Sequence, residues 1–268
     1  MLRTRIITAI AIAAFLIPAI LYLGRTPWAI VTALVTGLGA WEFSRLAGFC
    51  EAGQVRYGVF VGGLAVAAAV FLSAAELAAV GGLFLGLSVI FWTLIVPFWL
   101  QSRWRVTRHW VMALVGLVVL LPTWYALVAL KDRSPYWLLG AIGLVALADI
   151  AAYFFGRAFG RRKLAINISP GKTWEGAWGA MATVTACVVA LQILSGGADL
   201  LRLAVLIVGM PLLTLASIAG DLFESMLKRQ SGLKDSSNLL PGHGGILDRI
   251  DSHTAALPMV ALLLVFFG

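Results

Sequence analysis

Residues 110–130 read WVMALVGLVVLLPTWYALVAL, a run without one charged side chain. A bilayer core about 30 Å thick is crossed by a helix of about 20 apolar residues, and this stretch has that length and composition. Pro122 inside it argues against a helix in water. Membrane helices tolerate proline, because neighbouring groups re-satisfy the carbonyl that it frees. Carried along all 268 residues, the same ruler gives the expected spans 6–24, 27–44, 57–74, 77–100, 110–130, 136–155, 176–195, 201–220 and 252–268. Spans three and four meet at Ala74, Ala75 and Glu76, and also read as one re-entrant pair. Arg3 and Arg5 before the first run invite a signal-peptide reading. A run of about 18 residues exceeds the usual signal core of about 7–15, and no small-x-small site follows, so a retained helix is expected.

Composition agrees. Hydrophobic residues make up 61% of the chain and charged ones 12%, with a mean hydropathy of +0.97. Soluble domains average about 45–50% apolar and about 25% charged, so a water-soluble enzyme and a polar disordered chain are both excluded. The net charge of +8 does not imply a nucleic-acid partner. With the N-terminus inside, sixteen of the twenty Lys and Arg residues fall in cytoplasmic segments, and only Arg25, Lys131, Arg133 and Arg202 fall outside. That is the bias expected of membrane topology. Cys50 and Cys187 form no CxxC pattern, which disfavours disulfide scaffolds and zinc sites. The expected fold class is therefore all-α: a polytopic integral membrane helical bundle of about nine transmembrane helices, N-terminus in and C-terminus out. It reads as a single membrane domain, 1–268, with N-terminal helices in 1–130 and catalytic helices in 136–268. The latter carry cytoplasmic loops 156–175 and 221–251.

Residues 1–130 hold little beyond apolar helix and short loops, and the potentially chemical groups concentrate between Asp149 and Asp251. Asp149 lies inside span six. An ionisable group at membrane depth is costly and reads as functional by default, with a structural pair to a neighbouring Arg as the alternative. Downstream, Ser169-Pro-Gly-Lys172-Thr173 opens span seven, a candidate anion site at a helix N-terminus, though it lacks the spacing of a Walker loop. Arg161, Arg162 and Lys163 read first as topogenic charges or lipid-headgroup contacts.

The second cluster runs from Asp221 to Asp251. Asp221 and Glu224 are three apart, as are Asp248 and Asp251, so each pair shares a helix face. Two such faces meeting at the membrane surface make an all-oxygen site suited to Mg²⁺, which prefers a few carboxylates plus substrate phosphates. Lys228, Arg229, Lys234 and Arg249 are interleaved with the acids. Acids for a metal beside bases for phosphate is the composition expected for a nucleoside triphosphate and its pyrophosphate leaving group. Gly244 and Gly245, in Pro241-Gly-His243-Gly-Gly, let a backbone approach phosphate oxygens closely. His243 reads as a phosphate donor, a proton donor or a structural loop histidine.

The motif Ser225-x-Leu-Lys228-Arg229-x4-Lys234-Asp235-x-Ser-x2-Leu-Pro-x-His243-Gly-Gly-Ile-x-Asp248-Arg249-Ile-Asp251 resembles the signature of the bacterial phosphatidate cytidylyltransferases, or CDP-diacylglycerol synthases. Ser169-Pro-x-Lys172-Thr173-x-Glu175-Gly resembles that family's second hallmark. The likeness is tight over 149–251; before residue 130 it rests on hydrophobicity and a Trp41-Glu42-Phe43 helix end. The resemblance implies that CTP and phosphatidic acid give CDP-diacylglycerol and pyrophosphate, with Mg²⁺ and room for a second cation, at the cytoplasmic face of the inner membrane. It also implies a homodimer. Asp221 and Asp248 would be the principal metal carboxylates, with Asp251 and Asp149 close by. Lys172, Lys228, Arg229 and Lys234 would hold phosphates, with Ser169 and Ser225 adding hydroxyl contacts. Thr173, Glu175, Asp235, His243, Gly244, Gly245 and Arg249 complete the expected substrate site.

Two rival classes remain. A CTP-dependent lipid-alcohol kinase would transfer the terminal phosphate and release CDP. A transporter would place its acids near the midplane of both halves as an inverted repeat, whereas here they gather in the C-terminal half.

Overall fold

The computed structural model describes residues 2–196 and 199–267, with side chains from 6 to 196 and from 199 to 264. The side chains of Arg3 and Arg5, and Gly268 at the end of the last expected span, lie outside the described residues. The chain is a helical bundle: α1 (Leu2–Tyr22), α2 (Arg25–Leu46), α3 (Glu51–Phe71), α4 (Ala74–Ile90), α5 (Val96–Ser102), α6 (His109–Arg133), α7 (Pro135–Phe159), α8 (Trp174–Leu194), α9 (Leu200–Gln230) and α10 (Leu247–Phe267). A π-helical turn, Phe91–Ile95, joins α4 to α5. Among the described residues, six helices are long and apolar enough to cross a membrane: α3, α4 through α5, α6, α7, α8 and α9.

The outer faces of these helices are apolar. Ile7 is 67% exposed, Leu83 66%, Val59 70% and Leu194 83%, spread over four helices. A surface of that kind is stable in lipid and not in water. Between helices, small residues permit close crossings, as membrane packing requires. A Cβ on Gly58 of α3 would sit 2.9 Å from the Gly37 carbonyl of α2, and one on Gly176 of α8 would sit 2.7 Å from the Ala152 carbonyl of α7. Two buried indoles bond across one helix pair. The indole of Trp28 in α2 donates to the Leu127 carbonyl of α6, and Trp124 of α6 donates back to Ala29, both at 3.0 Å. With no water to replace them in a low-dielectric interior, these bonds fix the α2–α6 seam.

Two segments depart from the expected pattern. The Ser169–Thr173 stretch, expected to open span seven at a helix N-terminus, is a strand, β2, paired antiparallel with β1 (Lys163–Ala165) in a hairpin between α7 and α8. Thr173 then caps α8, its Oγ1 accepting from the Gly176 amide at 3.2 Å. The stretch from Asp221 to Gln230 is not loop but the end of α9. That helix has 31 residues and so runs about 46 Å, beyond a hydrocarbon core of about 30 Å. Hydropathy ends at Gly220, but the helix continues because its charges pair along it: Lys228 Nζ reaches Glu224 at 2.8 Å, four residues back.

One register contact positions that charged end. Phe223, between Asp221 and Glu224, packs edge-on against Phe91, Trp92 and Trp99, with ring centroids 5.3–5.7 Å apart. The π turn supplies two of the three rings, a local widening of the helix put to use in packing.

Candidate active site

Polar contacts gather the loops at one end of the bundle. Thr8 of α1 donates to the Pro241 carbonyl at 3.0 Å, Arg45 of α2 to the Ser236 carbonyl at 3.1 Å, and Arg105 of the α5–α6 loop to the Gln230 carbonyl at 3.3 Å. The hairpin joins them through Lys172, whose ammonium lies 2.6 Å from Asp221 Oδ2.

Around that pair is the first constellation. Ser225 donates to Asp221 Oδ1 at 3.2 Å, one helical turn along. Asp149, deep in α7, and Asp251, in the first turns of α10, both lie within electrostatic range of Asp221 and Lys172. Three helices and a hairpin thus bring three aspartates to one lysine. Close approach of the backbones allows it: a Cβ on Gly220 would sit 2.6 Å from the Asp251 carbonyl, so α9 and α10 cross next to both acids.

The second constellation surrounds Lys228. Its ammonium is 2.8 Å from Glu224 Oε2 and 2.6 Å from Asp248 Oδ1; both acids are buried and Lys228 is half-buried. Asp248 is heavily bonded. Besides Lys228, its Oδ2 accepts from the amides of Ser236 at 2.9 Å and Gly245 at 2.7 Å and from the Ser236 hydroxyl at 2.8 Å. Burial alone would raise its pKa; the bonds from Lys228, Gly245 and Ser236 outweigh that and hold it below the ordinary carboxylate range. Gly244 has φ +80°, and its own Cβ would sit 2.7 Å from Asp248 Oδ2, so a side chain there is excluded on both counts.

The predicted residues therefore sort into groups. Asp149, Lys172, Asp221, Ser225 and Asp251 come together, and Lys228, Asp248 and Gly245 form a second knot. Asp251 lies within electrostatic range of both lysines and links the two. Asp221 and Asp248 hold different lysines. Glu175 serves the hairpin: its carboxylate accepts from the amides of Arg161 at 3.0 Å and Arg162 at 3.1 Å. Ser169 is half-buried in β2, and Arg229, Lys234, Asp235 and Arg249 stay exposed on the flanking segments. His243 is half-buried in the turn closed by the Leu240–Gly244 bridge, and among the described residues its Nδ1 has no hydrogen-bond partner.

Sequence reasoning noted Glu42 only within the Trp41-Glu42-Phe43 helix end and gave it no role; it is a buried acid in α2 that bonds the 236–247 segment. Its signal was a lone Glu in an apolar helix. A cavity of about 490 Å³ at the opposite end of the helices is lined by Arg25, Tyr125 and Asp132, away from these groups. A second, of about 410 Å³, is lined by Phe159, Gly160, Arg161, Arg162 and Glu175 beside the hairpin.

Among the described residues, no three acids or histidines converge into a ready-made metal cage. Asp149, Asp221 and Asp251 offer oxygen donors only, and the Lys172 ammonium already holds a cationic position on Asp221. This donor set fits Mg²⁺, which keeps waters and takes several ligands from substrate phosphates.

A model of the Cytidylyltransferase family matches residues 3–267. The phosphatidate cytidylyltransferase of Pseudomonas aeruginosa is 42% identical over 98% of this chain and 97% of its own length. That of Haemophilus influenzae is 34% identical over 99% of both chains, and that of Brucella suis is 42% identical over 63% of this one. Because the match runs from α1 to α10, through the hairpin and both lysine–aspartate knots, the chain belongs to the cytidylyltransferase family.

Proposed function

We propose that this multi-pass membrane protein transfers the cytidylyl group of CTP to phosphatidic acid, giving CDP-diacylglycerol and pyrophosphate. The observation that carries the reading is the Lys172–Asp221 pair at 2.6 Å, joined by Asp149 and Asp251 at one end of a bundle with an apolar exterior. Acids and bases in that arrangement suit a metal-bound triphosphate, and the apolar exterior suits a substrate and a product that are both bilayer lipids. Family membership and the named relatives support the same reaction.

Phosphatidate carries an ionised phosphate oxygen at neutral pH, so no general base is needed to make the nucleophile. That oxygen forms a bond to the α-phosphorus of CTP; the bond from the α-phosphorus to the bridging oxygen breaks, and its electron pair leaves with pyrophosphate. The barrier lies in bringing two polyanions together. Lys172 and Lys228 neutralise phosphate charge and align the attack, and Arg229 and Lys234 extend that field toward the departing pyrophosphate. Asp221, with Asp248, Asp251 and Asp149, would hold Mg²⁺. When bound, the ion supplies positive charge to the triphosphate oxygens. Ser169 and Ser225 add hydroxyl contacts, and Arg161 and Arg162, beside the hairpin cavity, meet the lipid headgroup.

In this reading the chain is one membrane domain of nine spans, with the N-terminus and the site on the cytoplasmic side and the C-terminus outside. The Lys and Arg distribution supports that orientation. The bacterial inner membrane and a homodimer follow from the resemblance. Labelled CTP tests the reaction. Label from the α-phosphate is expected in a chloroform-soluble product and label from the γ-phosphate in pyrophosphate; γ-label in lipid would instead identify a kinase and overturn the proposal.

A further inference from the structure

Glu42 lies in α2, well over a hundred residues from the hairpin and both lysine knots, and is 0% exposed. Among the described residues it forms no salt bridge. Four donors from the 236–247 segment surround its carboxylate instead. Oε1 accepts from the Ser237 hydroxyl at 2.5 Å and the Ile246 amide at 3.0 Å. Oε2 accepts from the Leu247 amide at 2.6 Å and the Ser236 hydroxyl at 3.1 Å. The Ser236 hydroxyl is also 2.8 Å from Asp248 Oδ2, so its single proton is shared between the acid of α2 and the acid of α10. Arg45, one turn further along α2, ties down the Ser236 carbonyl at 3.1 Å. A Cβ on Gly245 would collide with both Glu42 Oε1 and Ser236 Oγ, so glycine alone lets the segment close on the carboxylate.

This donor set distinguishes a carboxylate from its isostere. Each oxygen of Glu42 takes one backbone N–H, and a backbone N–H cannot turn round to accept. Glutamine has the same size, but in either amide orientation its NH₂ faces Ile246 or Leu247 and leaves a buried donor unpaired. Aspartate is shorter, yet it keeps two accepting oxygens.

We propose that Glu42 is a positioning residue for the nucleotide-handling segment, acting through Ser236 and the Gly245 and Asp248 bonds. The proposal rests on the cytidylyltransferase reading for what that segment handles. It makes α2, in the half of the chain with no other chemistry, a working part of the site. The neighbouring Asp248–Lys228 contact is then set from two sides: by α9 through Lys228 and by α2 through Ser236.

The test compares full-length Glu42→Gln and Glu42→Asp in detergent micelles with CTP, phosphatidic acid and Mg²⁺. Pyrophosphate release and amide hydrogen exchange of residues 236–247 are both followed. Glu42→Gln is expected to lower kcat/KM for CTP by about 10- to 100-fold, the effect of one unpaired buried donor, and to leave KM for phosphatidic acid unchanged. Exchange at Ile246 and Leu247 should accelerate, and Glu42→Asp should retain more activity than Glu42→Gln. A space-filling role predicts the reverse order, with the isosteric Gln nearer wild type; that order, or wild-type kcat/KM and exchange in Glu42→Gln, overturns the proposal. Should Glu42→Gln not insert, Ser237→Ala removes one donor and is expected to lower the same ratio by about 2- to 10-fold; no change there also overturns it. A wild-type protein that releases no pyrophosphate would sink the activity reading, and the exchange contrast would still decide the role of Glu42.

Discussion

Asp221 and Asp248 have the same side chain and each meets a lysine at 2.6 Å, yet their surroundings give them different work. Asp221 keeps a half-exposed pair with Lys172 and a single hydroxyl bond from Ser225. Asp248 is buried and bound by Ser236, Gly245 and Lys228. Asp221→Asn is therefore expected to leave the protein inserted and folded while lowering kcat by about 100-fold or more, as loss of a charge-positioning group does. Pyrophosphate release at saturating Mg²⁺ checks it, and near-normal turnover would refute the role. His243→Ala is expected to stay within about tenfold of wild type, because a general acid or base contributes about 100-fold or more and none is needed here. A loss as deep as that of Asp221→Asn would assign His243 a proton. At this scale the sequence told which charged residues to look for together, since charges beside apolar spans stand out. It did not tell which lysine meets which acid. That depends on how α9 and α10 cross at Gly220, and on an acid 194 positions before Ser236.

Helix lengths and boundaries show where hydropathy stops being informative. Six of the expected spans were legible because twenty apolar residues in a row have few other fates. The charged end of α9 was legible only as a helix face shared by Asp221 and Glu224; that the helix runs on to Gln230 was not, because this continuation rests on pairing along the helix and on packing of one aromatic side chain. The hairpin was missed for a related reason. Lys163–Ala165 and Ser169–Thr173 are too short and too polar to show a strand period, and only their pairing makes them strands. Phe223 is the element-scale test. Three aromatic rings hold it, and Phe223→Ala should cost about 3–5 kcal/mol of stability, in the range of buried Phe truncations. Thermal unfolding in detergent would measure this. Activity should fall with it, because the same turn carries Asp221 and Glu224; an unchanged melting temperature would show that the ring cluster does not set the register of α9.

The whole molecule is a bundle with an apolar exterior in which the hairpin, both lysine knots and the 236–247 segment share one end, a placement that suits the proposed reaction of a lipid with a soluble nucleotide. In the proposed reaction a lipid would reach the site from the side and a triphosphate from water, without either crossing the other's solvent. Orientation is testable in a chain with Cys50 and Cys187 replaced. In intact spheroplasts a membrane-impermeant maleimide should label Arg133→Cys at the end of α6 and leave Asn238→Cys untouched until the membrane is opened; the reverse pattern would invert the topology. The most direct measurement of the account is pyrophosphate release by the purified protein with CTP, phosphatidic acid and Mg²⁺ supplied together and each withheld in turn. Release that requires all three, with CDP-diacylglycerol formed in equal amount, is the predicted result. Release that continues without the lipid, or without the divalent ion, would contradict it.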